Sequence, residues 1–329
     1  MRKKFFILLK IGISFSLIYL VITRIDGVEV LSTLRSVHPG ILLLAFLIFV
    51  VAHYLNTFKW QILLKVLSIS EDMGKLFELH LIGIFYTMFL PGGQLTGEAV
   101  KAYRTKNHLG QTEKIVASIL VDRVTGLFPF LVLGVVGASF SSALLHTEGR
   151  GGIFVVFWIS IVVLSLAGIL FHKSFLPMVS RLQKLAARLN TPRFIRGTIH
   201  KVLEVISAYA GKSSALLAGL LFGFLFQILN ILVVYFLAYS IGTPISIFDI
   251  MWVYSLVSVI LILPVSIMGL GQREVSFIFL LGLVGVSGVV ATSLSVLIFI
   301  FALALGVLGG IIEGYHWWIR DRVPPVKNV

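Results

Sequence analysis

A chain of 329 residues is long enough for two soluble domains, but its composition excludes that organisation. Hydrophobic residues make up 58% of it, charged ones 12%, and the mean hydropathy is +1.03. Soluble domains run near 45–50% apolar and about 25% charged, so a soluble enzyme and a disordered or fibrous chain are both ruled out. The formal net charge of +13 would invite a nucleic-acid partner in a polar chain; here the position of the charges matters more than their sum. With no cysteine there is no disulfide framework, no thiolate metal site and no cysteine nucleophile.

Taken in chain order, six apolar stretches reach the roughly 20 residues needed to cross a bilayer core of about 30 Å: 5–22, 41–58, 115–140, 153–171, 215–241 and 289–312. The first follows Met1-Arg2-Lys3-Lys4 and resembles a signal peptide, but no small-x-small cleavage pattern comes after it. It reads as a retained helix with its basic end in the cytoplasm. Two further stretches are too short. Residues 76–90 would span about 22 Å and stop at Pro91-Gly92-Gly93. Residues 251–263 stop at Pro264 and resume at 275–286 after Gly269-Leu270-Gly271-Gln272-Arg273-Glu274. Both are expected to be re-entrant helical hairpins that enter the membrane and turn back.

Charge placement supports that expectation. If 76–90 crossed fully, Lys101, Arg104, Lys106 and Lys114 would lie outside, against the positive-inside rule, and every later loop would invert. With both short stretches re-entrant, most Lys and Arg fall on the cytoplasmic side. Arg24, Arg35 and Arg150 are then outside, Lys10, Arg123 and Arg273 are at membrane depth, and both termini are cytoplasmic. The expected fold is an all-α polytopic membrane protein of about six full transmembrane helices plus two re-entrant hairpins, forming one integral membrane domain over 1–329. Its first half is 1–140, with a hairpin near 76–100, and its second half is 213–312, with a hairpin near 251–286. Leu90-Pro91 followed by Gly97-Glu98 is echoed by Leu263-Pro264 followed by Gly271 and Glu274, which points faintly to an inverted repeat.

The connector 173–212 separates its faces as basic amphipathic helices do. Val179, Leu182, Ala186 and Leu189 oppose Arg181, Lys184 and Arg188; beyond Thr191-Pro192, the residues Ile195, Ile199, Val202, Ile206 and Tyr209 form a second apolar face. Such helices suit an anionic leaflet, the alternative being a solvated connector. Standard catalytic signatures are absent: there is no His-Glu-x-x-His, and Gly211-Lys212-Ser213 lacks the earlier glycine of a phosphate loop.

What remains is charge in apolar surroundings, where each ion costs at least about 2.5–3.5 kcal/mol unless paired or hydrated. Glu98, Lys101 and Arg104 follow the first Pro-Gly loop; a helix restarting near Thr96 would turn its free amides toward that loop and put Lys101 and Arg104 on one side. Ordinary flanking charge is the competing reading. Asp122 and Arg123 lie within 115–140, and neighbours about 100° apart on a helix do not neutralise each other. Each needs another partner, expected from the re-entrant loops, either for function or simply to lock helices together. Arg273 and Glu274 sit on the second loop among glycines that permit close backbone approach, or else at an exposed loop tip. Glu78, His80, Asn56, Gln227 and Asn230 are weaker candidates, and Trp317-Trp318 with Arg320 and Arg322 reads as an interfacial anchor.

Three segments carry a resemblance. Phe89-Leu90-Pro91-Gly92-Gly93-Gln94-Leu95-Thr96-Gly97-Glu98-Ala99-Val100-Lys101-Ala102-Tyr103, then Asp122-Arg123-Val124-Thr125-Gly126-Leu127, then Leu263-Pro264-Val265-Ser266-Ile267-Met268-Gly269-Leu270-Gly271-Gln272-Arg273-Glu274 resemble, in the same order, landmarks of the flippase-like membrane family typified by the transmembrane region of lysylphosphatidylglycerol synthase. Glu98 and Asp122 stand where the family often has Asp and Glu respectively. Bifunctional members append a soluble aminoacyl-transferase domain, which has no counterpart in these 329 residues. The resemblance therefore implies the translocation half, moving a lipid with a charged or phosphate-bearing headgroup, such as an aminoacylated phospholipid or a polyprenyl-linked lipid, between leaflets of the cytoplasmic membrane.

The sequence thus predicts a substrate site of Glu98, Lys101, Arg104, Asp122, Arg123, Arg273 and Glu274, shaped by Pro91, Gly92, Gly93, Gly97, Pro264, Gly269 and Gly271. It predicts no catalytic residue, no metal and no cofactor. The expected partners are membrane phospholipid or polyprenyl lipid, a second copy of the chain or a separate synthase, and no nucleic acid. Two alternatives stay open: a membrane enzyme transferring a group such as an aminoacyl moiety to a headgroup, with Glu98 or Asp122 as general base, and a non-catalytic membrane partner of a synthase.

Overall fold

The computed structural model describes residues 12, 16–90, 93–109, 112–145, 209, 212–262, 265–266 and 269–322. All regular structure among them is helical. Helical backbone over 16–24 (α1) is followed by α2 (Gly27–Arg35), α3 (Pro39–Val66), α4 (Met73–Phe89), α5 (Gln94–Leu109), α6 (Thr112–Phe140), α7 (Ser142–Leu145), α8 (Ser213–Ser240), α9 (Ile247–Ile262), α10 (Gln272–Gly282) and α11 (Gly288–Arg322). The expected span 153–171, most of 5–22 and nearly all of 173–212 lie outside the described residues, as do Pro91, Gly92 and Pro264.

Four of these helices, α3, α6, α8 and α11, are long and apolar enough to cross a bilayer. Their bounds exceed the apolar runs read from sequence. α3 continues through Lys59, Gln61 and Lys65 to Val66, giving 28 residues and about 42 Å of helix, well beyond a hydrocarbon core of about 30 Å. Its end is marked by Ser68 at φ 59°, a left-handed residue that reverses the chain. The next helix, α4, starts on Asp72, whose carboxylate accepts from the amides of Gly74 at 2.8 Å and Lys75 at 3.3 Å, satisfying otherwise orphaned donors.

The two short stretches form helix–turn–helix pairs. α4, 17 residues long, is followed at once by α5, and Gly93 in the turn has φ +58°. α9, 16 residues long, turns through Gly269 and Gly271, at φ +71° and +77°, into α10. The first pair closes backbone to backbone: a Cβ on Gly97 would collide with the carbonyl of Gly83 and the hydroxyl of Thr87. Only glycine permits that approach.

Packing follows three antiparallel pairs. α3 lies along α8, matching His38 with Ser240, His53 with Phe226, Phe58 with Phe222 and Leu63 with Gly219. α4 lies along α11, where Gly309 meets the carbonyl of Leu81 and Gly306 faces Met88. α9 lies along α6, where Gly137 faces the Trp252 backbone and Ser141 donates to the buried Asp249 carboxylate. Each short pair therefore leans on the long helix that follows the other one. The larger apolar core, including Trp252, Leu237, Phe277 and Leu294, fills the space between them; a smaller core around Trp60, Leu63, Leu76 and Ile115 lies at the opposite end.

Candidate functional site

The ionisable residues singled out from sequence gather in two groups. The first is built by α3, α5 and α6. Arg123 on α6 forms an ion pair with Glu98 on the first turns of α5, and its Nη1 donates to Gln94 Oε1 at 2.6 Å. Asp122 turns the other way, as adjacent helical positions must. Its partner is Lys59 on α3: Lys59 Nζ stands 3.2 Å from Asp122 Oδ1 and donates to the Asp122 backbone carbonyl at 3.1 Å. The distance to Oδ1 is that of an ion pair, but Oδ1 accepts no directed hydrogen bond. The ammonium is aimed at the carbonyl and leaves the carboxylate with acceptor capacity.

Lys101, one helical turn beyond Glu98, is 8% exposed and makes no ion pair with a carboxylate among the described residues. Its ammonium lies 3.5 Å from the centre of the Trp60 ring, a cation–π contact strengthened by desolvation. Trp60 is fixed in turn by donating from Nε1 to Ser118 Oγ at 3.1 Å. Among the described residues, three cations thus face two carboxylates, leaving one unit of positive charge in excess. The expected common side for Lys101 and Arg104 is not used in common. Lys101 turns into the protein, and the longer Arg104 reaches α11, where it pairs with Glu313. Glu313 Oε1 also accepts from Tyr86 at 3.0 Å, whereas its Oε2 is buried without a hydrogen-bond partner.

The second group sits where α10 begins. Arg273 and Glu274, 7% and 9% exposed, pair with each other at 2.8 Å. Ser295 of α11 ties the pair together, accepting from Arg273 Nε and donating to Glu274 Oε1, each at 2.8 Å. Glu274 Oε2 accepts from the Gly271 amide at 2.6 Å, so one carboxylate caps the helix and neutralises the guanidinium. These are buried, paired charges, not a solvated loop tip. No hydrogen bond or ion pair among the described residues links this group to the first, and among those residues no three His, Asp or Glu side chains could hold a metal ion.

Lys59, Trp60, Glu313 and Ser295 were not singled out by sequence reasoning, and Gln94 entered it only as the start of the first motif. Lys59 and Glu313 end apolar runs and read as flanking charge; the signal that distinguishes Lys59 is the apolar Leu63-Leu64 beyond it, which continues the buried face. Of the weaker candidates, His80 Nε2 lies 2.9 Å from His53 Nδ1, Glu78 contacts His316 at 3.5 Å, Asn230 bonds its own helix at Phe226, and Gln227 is buried with Oε1 unpaired. Tyr209 from the connector docks at the end of α3, donating to Leu63 O at 2.9 Å; burial raises its phenol pKa. Trp317 and Trp318 are exposed, as an interfacial anchor requires.

The family model for the lysylphosphatidylglycerol synthase TM region matches residues 7–310. The chain belongs to that family. It is similar to a UPF0104 membrane protein of Methanothermobacter thermautotrophicus, 27% identical over 284 residues that cover 82% of both chains. A UPF0104 membrane protein of Pyrococcus horikoshii is 25% identical over 309 residues, covering 89% of this chain and 91% of that one. A third, from Methanocaldococcus jannaschii, is 28% identical over 132 residues, 38% of each chain. No solved structure matches the chain. As a member of the lysylphosphatidylglycerol synthase TM family with four long apolar helices, it is an integral multi-pass membrane protein.

Proposed function

We propose that this family member moves a lipid with an anionic headgroup, a phospholipid or polyprenyl phosphate, between the leaflets of the cytoplasmic membrane. The observation that carries the reading is the surplus cation of the first group: Lys101 is buried against Trp60 and, among the described residues, forms no ion pair of its own, beside a Lys59–Asp122 and an Arg123–Glu98 pair. A lone ammonium at this depth is costly, and a phosphate drawn to it gains both Lys101 and the donors that Arg123 now gives to Glu98 and Gln94.

In this reading α4–α5 and α9–α10 are re-entrant hairpins of an inverted repeat. What supports it is the exchange of partners, α4 on α11 and α9 on α6, about an α3–α8 pair that maps onto itself. With both termini cytoplasmic, the first group faces the cytoplasmic leaflet. The second group, with Arg273 held by Glu274 and Ser295, receives the headgroup from the outer side. Acyl or prenyl chains stay in lipid throughout.

The test is purified protein in liposomes carrying fluorescent phosphatidylglycerol, read by dithionite quenching of the outer leaflet. Wild type is expected to speed exchange between leaflets, and Lys101→Gln and Arg123→Ala are each expected to slow it at least about tenfold, since a charged hydrogen bond contributes roughly 1.5–3 kcal/mol. Exchange at wild-type rate in both variants overturns the site; no exchange in wild type with either this lipid or polyprenyl phosphate overturns the function.

A further inference from the structure

The mechanism above makes no use of the contact between His53 on α3 and His80 on α4. Their rings meet edge to edge through Nδ1 and Nε2 at 2.9 Å, so one imidazole donates and the other accepts. Phe49 packs on His53 with ring centres 4.4 Å apart, Phe226 of α8 reaches it at 5.8 Å, and Phe77 stacks along His80 at 6.4 Å. Two polar rings are therefore enclosed by aromatic ones near the middle of a membrane helix. A helix-locking hydrogen bond needs only one donor and one acceptor; two titratable rings add the capacity to hold a proton.

The charged surroundings are asymmetric. From α3 comes Lys59, six residues and about 9 Å along the helix from His53; from α5 comes Lys101, whose Cβ packs against Gly83, one turn of α4 beyond His80. Asp122 of α6 lies beyond them, committed to Lys59. On α4 itself Glu78 points to His316, and on α11 the acid Glu313 is held by Arg104 and Tyr86. The α8 helix contributes no Asp, Glu, Lys or Arg. A proton added to the pair thus makes an imidazolium facing the surplus charge of Lys101, and an anion resting on Lys101 removes that opposition.

We propose that the His53–His80 pair is a single-proton site whose occupancy is coupled to the anion in the neighbouring basic group, so that the translocated headgroup travels with a proton. The step is balanced: one hydronium gives its proton to the free lone pair of the donor ring and leaves as water, the shared N–H···N bond persists, and no other bond changes. A second proton would require breaking that bond, which limits the site to one. Coupling is reciprocal: the anion raises proton affinity, and acid raises anion affinity. This inference rests on the anion reading of the first group.

The experiment uses the full chain in detergent with dihexanoyl phosphatidylglycerol as the soluble anionic probe. Binding is followed by tryptophan quenching between pH 5 and 8, and proton uptake by a pH dye in weakly buffered solution. Wild type is expected to take up as much as about one proton per bound probe and to bind more tightly as pH falls. His53→Gln and His80→Gln, each with wild-type helicity and elution volume, are expected to bind the probe without proton uptake and with at least a threefold flatter pH dependence. Probe binding by wild type without proton uptake, or uptake unchanged in both variants, overturns the coupling while leaving the anion site standing. If wild type does not bind the probe at any pH, the anion reading itself fails, and the coupling with it.

Discussion

Replacing Lys59 by Met isolates the buried ion pair of the first group. Lys59 is 1% exposed and its ammonium serves both the carboxylate and the backbone carbonyl of Asp122. Met fills most of the stem's volume but leaves Asp122 charged, its Oδ1 already without a directed donor. Breaking a buried pair from one side costs about 3–5 kcal/mol, and each 1.4 kcal/mol is tenfold in the equilibrium, so Lys59→Met is expected to lower the folding equilibrium by at least about a hundredfold. Asp122→Asn is expected to cost less, because the amide keeps an oxygen near the ammonium. In the double variant neither charge remains, and the sum of the two single costs is expected to exceed the double cost by at least about 2 kcal/mol, within the range seen for groups in direct contact. Reversible unfolding in mixed SDS and lipid-like detergent, followed by circular dichroism, gives the three values. Additive costs would refute the reasoning, since they would mean that Lys59 is neutralised by something other than Asp122.

Two further outcomes follow from the packing. Gly97→Val and Gly309→Val put a side chain into the backbones of Gly83 and Leu81 respectively; each is expected to lower the midpoint of thermal unfolding by several degrees, whereas Gly12→Ala, with open space around it, is expected to leave it unchanged. Because the chain has no cysteine, single cysteines report sidedness directly. Ser68→Cys, between α3 and α4, is expected to react with an impermeant maleimide only in inverted vesicles, and Ser287→Cys, between α10 and α11, only in right-side-out ones; the reverse pattern refutes the proposed orientation.

Much of the fold was legible because water-hating runs and their stops are local properties. The ends of α4 and α9 were announced by Pro91-Gly92 and Pro264, and the later segments α6, α8 and α11 by hydropathy alone. The pairing of charges was not local. The sequence could show that Asp122 and Arg123 each need a partner, and Arg123 finds Glu98 on the first short pair. Asp122 finds Lys59 instead, a residue that differs from ordinary flanking charge only in lying on the face of α3 that α6 covers. Arg273 and Glu274 satisfy each other through a helix cap and Ser295, an arrangement that adjacent spacing on a regular helix would disfavour and the first turn of α10 permits. The His53–His80 contact depends on how two helices align, which no single stretch encodes.

The exchange of supports between the two halves has a mechanical consequence. A load placed on the α4–α5 pair is borne by α11, which follows α10, and a load on α9–α10 is borne by α6, which follows α5. Arg123–Glu98 and Arg273–Ser295 also tie α5 to α6 and α10 to α11, so each of these long helices serves both pairs, and tilting one pair tugs the footing of the other.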